Sequence, residues 1–167
     1  MTLWLIGMMG TGKTTAGRIA AEVLDIPFFD TDDEVATRLG QPVADVWVEV
    51  GETGFRVSET EVIQRLAGET AIVSTGGGAI LAEANRARMR DSGVVVWLRC
   101  SPEVLASRLS GSAGRPLLDG EPEPEKTLAT ILESRSTAYS ETAHHEIDTS
   151  SLSVEQVAEK VVALWPS

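Results

Sequence analysis

The chain has 167 residues, 43% of them hydrophobic and 23% charged, and 25 acids against 14 bases give a formal net charge of −11. That length and apolar content suit one ordinary domain with a real core and exclude a disordered acidic chain. The acidic balance argues against broad nucleic-acid binding, which needs a basic face to neutralise phosphates.

Lys13, Lys126 and Lys160 are the only lysines and the other basic residues are arginines, so the positions of these few cations are informative. A lone cysteine, Cys100, cannot close an internal disulfide and reads as a small buried residue. The N-terminus carries no basic leader, and the longest apolar run, residues 94–98, is far too short to span a bilayer. A cytoplasmic protein with no membrane partner is expected.

In chain order, the first apolar run covers residues 3–6, and others follow at 26–29, 71–74, 94–98 and, more weakly, 145–147. None alternates apolar with polar, the pattern of strands buried on both faces of a parallel sheet. Segments with helical spacing lie between them: Ala16, Ile19, Ala20, Val23 and Leu24 form one stripe, Val62, Ile63 and Leu66 another, and Val154, Val157, Ala158, Val161, Val162 and Leu164 a third. Strands alternating with helices predict an α/β doubly wound fold in a single domain over 1–167.

Directly after the first run, residues 7–14 read GMMGTGKT, a match to G-x-x-x-x-G-K-[ST]. The glycines let backbone N–H groups close around phosphate oxygens, and the following helix adds its positive end. Lys13 reaches the β and γ phosphates and the Thr14 hydroxyl can ligate Mg²⁺. A bare strand-to-helix turn would need neither Lys13 nor the hydroxyl beside it. The cradle alone names no acceptor, since kinases, GTPases and motors share it.

The second run ends in Phe29-Asp30-Thr31-Asp32-Asp33. If this strand lies beside the first, its carboxyl end opens into the crevice that holds the phosphate loop. Asp30 would then face the metal shell and Asp32 a substrate hydroxyl; alternatively, Thr31 or Asp32 caps the next helix. Asp33 and Glu34 read as first-turn acids at the helix's positive end. Arg56 and Glu59 are three residues apart and share a helix face, as a functional pair or a surface ion pair. After the third run, Ser74 stands where many phosphate-loop proteins place a metal-directed Asp. Gly76, Gly77 and Gly78 then offer either bare backbone to a ligand or a flexible turn. Residues 110–124, rich in Gly, Pro and Ser, have the length and composition of either a functional lid or a disordered stretch. Arg115 lies in this stretch and Arg135 on the helix beyond it; either alone would read as a solvated surface arginine. Trp4, Trp47, Trp97 and Trp165 read as core or rim packing.

In order and spacing, GMMGTGKTT, FDTD, GFRVSE, STGGGA, GRPLL and ESRSTAY resemble the shikimate kinase family over essentially the whole chain. The resemblance implies a P-loop three-layer fold, nucleoside-monophosphate-kinase-like, with a five-stranded parallel sheet and a mobile lid at about 110–124. It implies that Gly10, Thr11, Gly12, Lys13, Thr14 and Thr15 hold the ATP phosphates, with Thr14 on Mg²⁺ and Asp30 and Ser74 in its outer shell. Asp32 would bond the hydroxyl that is phosphorylated, and Arg56 and Arg135 would grip the substrate carboxylate. Glu59 would orient Arg56, while the backbone of Gly76, Gly77 and Gly78 closes on the ring. Lys13, Asp32 and Arg115 would be the catalytic set, with Arg115 descending on the phosphates and Arg108 near the adenine. Along the adenine, family members often carry Arg or Asn with Pro, whereas residues 150–153 here read SSLS. The implied activity is ATP-dependent 3-phosphorylation of shikimate, by a monomer. A kinase of another small polyol acid such as gluconate, or a silent nucleotide-binding module, are the competing readings.

Overall fold

The computed structural model describes residues 1–110 and 122–165. Five strands, β1 (Thr2–Ile6), β2 (Phe28–Asp30), β3 (Ala71–Ser74), β4 (Gly93–Arg99) and β5 (His145–Asp148), form a sheet in the order β2-β3-β1-β4-β5. Every pairing among them is parallel. The helices are α1 (Lys13–Leu24), α2 (Thr31–Leu39), α3 (Val43–Leu66), α4 (Glu83–Ser92), α5 (Pro102–Leu109), α6 (Pro124–Thr142) and α7 (Val154–Ala163), with a 3₁₀ turn at Ala79–Leu81. Among the described residues no helix is long and apolar enough to cross a membrane.

The two faces of the sheet sort the core. Side chains alternate along each strand, so Leu3 and Leu5 of β1 pack with Ile72, Val96 and Leu98 against Ala16 and Ala20 of α1 and Val157 and Val161 of α7. Trp4 and Ile6 point the other way, joining Val73, Val95 and Trp97 against Phe55, Val62 and Ile63 of α3, Met89 of α4 and Leu128 and Tyr139 of α6. The uninterrupted apolar runs therefore mark strands covered on both sides: every residue of β1 and β3 is buried.

One expectation about the sheet fails. The second strand does not lie beside the first, because β3 takes the place between them. The reason lies in what each strand can bury. Ala71, Ile72 and Val73 are fully enclosed, whereas β2 is only half-buried, as suits an edge. The β2 strand is also short, running Phe28–Asp30 rather than 26–29, since the Ile26 N–H turns back to close α1 on the Ala21 carbonyl.

The carboxyl ends of β1, β2 and β3 still share one rim of the sheet, because Asp30 is in register with Ser74 and Ser74 with Leu5. Parallel strands guarantee this convergence, and it is where such folds hold ligands. The helices that start at this rim are fixed by local chemistry. Gly12 caps α1 at φ 91, a left-handed backbone that costs glycine little. The Ser101 hydroxyl accepts from the Val104 N–H at the start of α5, and Ser153 and Gln156 form a capping box on α7. α3 breaks at Gly51 (φ 67, ψ −179), which separates its first two turns from the segment carrying Phe55, Arg56 and Glu59.

Candidate active site

At the rim a cleft of about 340 Å³ is walled by Gly10, Gly12, Lys13, Thr14, Thr15, Asp30, Asp32, Ser74, Gly76, Gly77 and Arg108, among others. Thr11 lies behind this wall, its hydroxyl donating to the Met8 carbonyl at 2.9 Å and bracing the loop from inside. The buried Lys13 ammonium donates to the carbonyls of Gly7 and Met8, at 2.8 Å each, which holds the amine inside the mouth of the cradle.

The Thr14 hydroxyl donates to Asp30 Oδ2 at 2.7 Å and lies 3.4 Å from Ser74 Oγ. Asp30 does a second job, since its Oδ1 accepts the Asp32 N–H at 3.0 Å and caps α2. The cap is therefore Asp30, not Thr31 or Asp32. Thr31 is buried and accepts the Gly76 N–H on its hydroxyl at 2.9 Å, tying the rim of β2 to that of β3. With Thr31 and Asp30 occupied in this way, the Asp32 side chain is left to face the cleft.

Arg56 and Glu59 are no surface pair. Glu59 is fully buried, and its Oε2 accepts from Arg56 Nη1 at 2.8 Å. The Arg56 guanidinium also lies over the rings of Trp47 and Phe55, 5.6 and 5.5 Å from their centroids, and those rings stack on each other. Trp47 is thus part of the arginine's seat and not merely packing, a role that no spacing in the sequence signals. Arg56 Nε and Glu59 Oε1 are buried with no hydrogen-bond partner among the described residues. A donor and an acceptor left open at one spot fit a ligand bearing both carboxylate and hydroxyl.

The glycine triplet is where the acceptor-side residues meet. A Cβ on Gly78 would sit 2.0 Å from Arg56 Nη2, and one on Gly76 would sit 2.7 Å from both Asp32 Oδ1 and Glu59 Oε1. Arg135, largely buried on α6, donates from Nη1 to the Gly77 carbonyl at 3.0 Å. Tyr139, one turn further along α6, donates to the same carbonyl at 2.8 Å. Bare backbone, two arginines and two carboxylates are thereby packed so closely that a side chain at Gly76 or Gly78 would displace them, whereas Gly77 has ordinary clearance.

Electrostatics follow from that crowding. Burial, helped by the charge of Asp30, pushes the Asp32 carboxyl up to about 6, against the pull of Lys13 and Arg56. Burial likewise pushes Glu59 up to about 7, although Arg56 draws it down by charge and hydrogen bond. Buried carboxyls raised toward neutrality in a cleft are a mark of functional sites.

Arg108 reaches across the outer end of the phosphate loop. Its guanidinium donates to the Thr149 carbonyl at 2.7 Å, the Thr149 hydroxyl at 3.2 Å and the Gly10 carbonyl at 3.4 Å. It also lines a second cavity of about 250 Å³ with Thr11, Leu152 and Val154, continuous with the loop's far side. Arg115 and most of the 110–124 stretch lie outside the described residues.

A family model for shikimate kinase matches residues 9–165. The chain belongs to the shikimate kinase family. Among relatives, the shikimate kinase of Symbiobacterium thermophilum is 41% identical over 165 residues, covering 97% of this chain and 94% of that one. The shikimate kinase of Ralstonia nicotianae is 41% identical over 161 residues, or 96% and 84% of the two chains. In three dimensions, shikimate kinase from Acinetobacter baumannii in complex with shikimate superposes with a TM-score of 0.91 at 37% identity, over 98% and 91% of the chains. A gluconokinase from Sinorhizobium meliloti, at 20% identity and a TM-score of 0.56 over 97% and 89%, shares the fold. The shikimate kinase fold with its five-stranded parallel sheet is thus the one described above.

Proposed function

We propose that this chain transfers the γ-phosphoryl group of ATP to the 3-hydroxyl of shikimate, giving shikimate 3-phosphate and ADP in aromatic amino-acid biosynthesis. One observation carries the reading. A phosphate cradle shares its rim with a buried and a partly buried arginine, Arg135 and Arg56, that flank a glycine triplet, beside a carboxylate that faces the cleft. A polyol without a carboxylate has no use for the two guanidinium forks, whose planar geometry matches a carboxylate in two-point contact.

The residues divide the labour. The backbone of residues 10–15 and Lys13 hold the triphosphate, and Arg108 borders the base end. Arg115, in the lid expected at 110–124, adds a cation over the phosphates. Arg56 and Arg135 take the substrate carboxylate, with Glu59 fixing Arg56 from behind and Gly76, Gly77 and Gly78 lying flush against the ring. Asp32 accepts a hydrogen bond from the 3-hydroxyl. As the new O–P bond forms and the bond to the β-phosphate oxygen breaks, the hydroxyl proton passes to Asp32. A loose transition state asks for little proton removal beforehand, so Asp32 aligns the nucleophile first and takes the proton late.

The residues present also fit Mg²⁺. Thr14 offers a hydroxyl backed by Asp30 and Ser74, and among the described residues there is no cluster of three or more His, Cys, Asp or Glu that could cage an ion. In kinases Mg²⁺ keeps several waters and is held by few protein groups together with substrate phosphates, not by an all-protein cage. When bound, the ion neutralises charge on the β and γ oxygens. Every residue assigned a part comes from one chain, so a single copy suffices. ADP release on mixing the protein with Mg²⁺-ATP and shikimate tests the reading, with gluconate as the rival acceptor.

A further inference from the structure

We infer that Tyr139 is a positioning residue for the acceptor site, holding the glycine triplet in place through the Gly77 carbonyl. This rests on the acceptor assignment above, but the geometry that carries it does not. Gly77 O accepts two hydrogen bonds, from Tyr139 Oη at 2.8 Å and Arg135 Nη1 at 3.0 Å. A carbonyl has two lone-pair sites, so both are filled. The donors are four residues apart and share one face of α6.

The triplet has little else to hold it. Three consecutive glycines have the widest conformational freedom of any such run, and no side chains anchor them to the core. What ties the segment is a short set of bonds: Gly76 N–H to the Thr31 hydroxyl, Ala79 N–H to Gly76 O, Leu81 N–H to Gly78 O, and the pair on Gly77 O. The last of these joins the triplet to α6. Because Asp32 and Glu59 crowd the space where a Gly76 side chain would stand, and Arg56 that of Gly78, a shift of the triplet alters the room left to three acceptor-side groups together.

The phenol suits the task for three reasons. Its ring is fully buried and stacks on Trp97 at 5.3 Å, so the hydroxyl is delivered from a rigid base. It is neutral, so it steadies the carbonyl without adding a charge beside Arg135. Burial pushes its pKa up to about 12, so it remains a donor wherever the enzyme works.

Tyr139→Phe removes the hydroxyl and keeps the stacked ring. One neutral hydrogen bond of ordinary worth corresponds to a rise of about three- to tenfold in KM for shikimate. KM for ATP should stay within about twofold, because the phosphate loop is not touched. Thr142→Val serves as the control: it deletes another hydroxyl of α6, one that bonds only to Ala138 O within the helix. Amide hydrogen exchange of residues 76–81 in the ligand-free protein gives a readout independent of turnover, and it should quicken in Tyr139→Phe but not in Thr142→Val. If Tyr139→Phe leaves KM for shikimate and the exchange unchanged, or raises both KM values in step with a lower Tm, the tyrosine is structural and the inference falls. If the wild-type protein shows no activity on shikimate, the acceptor assignment falls instead, while the exchange result still decides the role of Tyr139.

Discussion

Asp32 and Glu59 stand on different helices, α2 and α3, yet each turns a carboxylate oxygen toward the same point. That point is the missing side chain of Gly76, where a Cβ would lie 2.7 Å from Asp32 Oδ1 and 2.7 Å from Glu59 Oε1. Gly76→Ala inserts a methyl there. Both oxygens are ends of movable side chains, so they are displaced while the backbone stays. The expected outcome is a loss of kcat/KM for shikimate of about a hundredfold, the scale of an ångström-level misplacement. Tm should change by only a few degrees, and steady-state kinetics with thermal melts check both.

The raised pKa values of these acids fix the sign of a pH effect. For each, the folded protein holds a proton that the unfolded chain has already lost, Asp32 between 3.8 and about 6 and Glu59 between 4.5 and about 7. Their contribution to stability is complete below the lower values and is lost as pH rises through the upper ones. Asp32→Asn removes one such penalty. Its Tm is expected to exceed that of wild type at pH 8, with the gap closing toward pH 4, while turnover collapses.

Activity runs in the opposite direction to that stability term. In the role proposed for it, Asp32 accepts the hydroxyl proton in its ionised form, so kcat/KM for shikimate should fall on the acid side with an apparent pKa near 6. A flat profile from pH 5 to pH 8 would remove Asp32 from that role.

Asp30 caps α2 and is proposed to stand behind the metal as well, and two substitutions separate these duties. Asp30→Ala removes the cap on α2 and should cost about 1 kcal/mol of stability. Asp30→Asn keeps a good cap but loses the charge behind Thr14. Both variants should therefore need more Mg²⁺ for half-maximal rate, and only Asp30→Ala should melt lower.

Much of this site was legible in the sequence because its chemistry is contiguous. The phosphate loop needs its glycines, Lys13 and Thr14 within eight residues, and the strand before and helix after it are encoded beside it. Arg56 with Glu59 could be placed on one helix face by spacing alone. The spacing could not say whether that face met solvent or the core, and the structure shows Glu59 fully buried. Three features stayed hidden because they depend on distant pairings. The edge position of β2 follows from β3 taking the central slot, the cap of α2 from Thr31 being drawn to Gly76, and the parts played by Trp47 and Tyr139 from which neighbours their rings meet. The acidic total also takes on a new sense. With Lys13, Arg56, Arg108 and Arg135 gathered about one rim, the remaining surface is more acidic than the sum, which favours anions at the cleft over anywhere else.

The most direct test is a coupled assay of ADP release with Mg²⁺-ATP and a panel of acceptors. The expected result is release that depends on shikimate, is at least about a hundredfold weaker with gluconate, and is abolished in Lys13→Ala. Nucleotide binding with no shikimate-dependent release, or faster release with gluconate, would contradict the assignment.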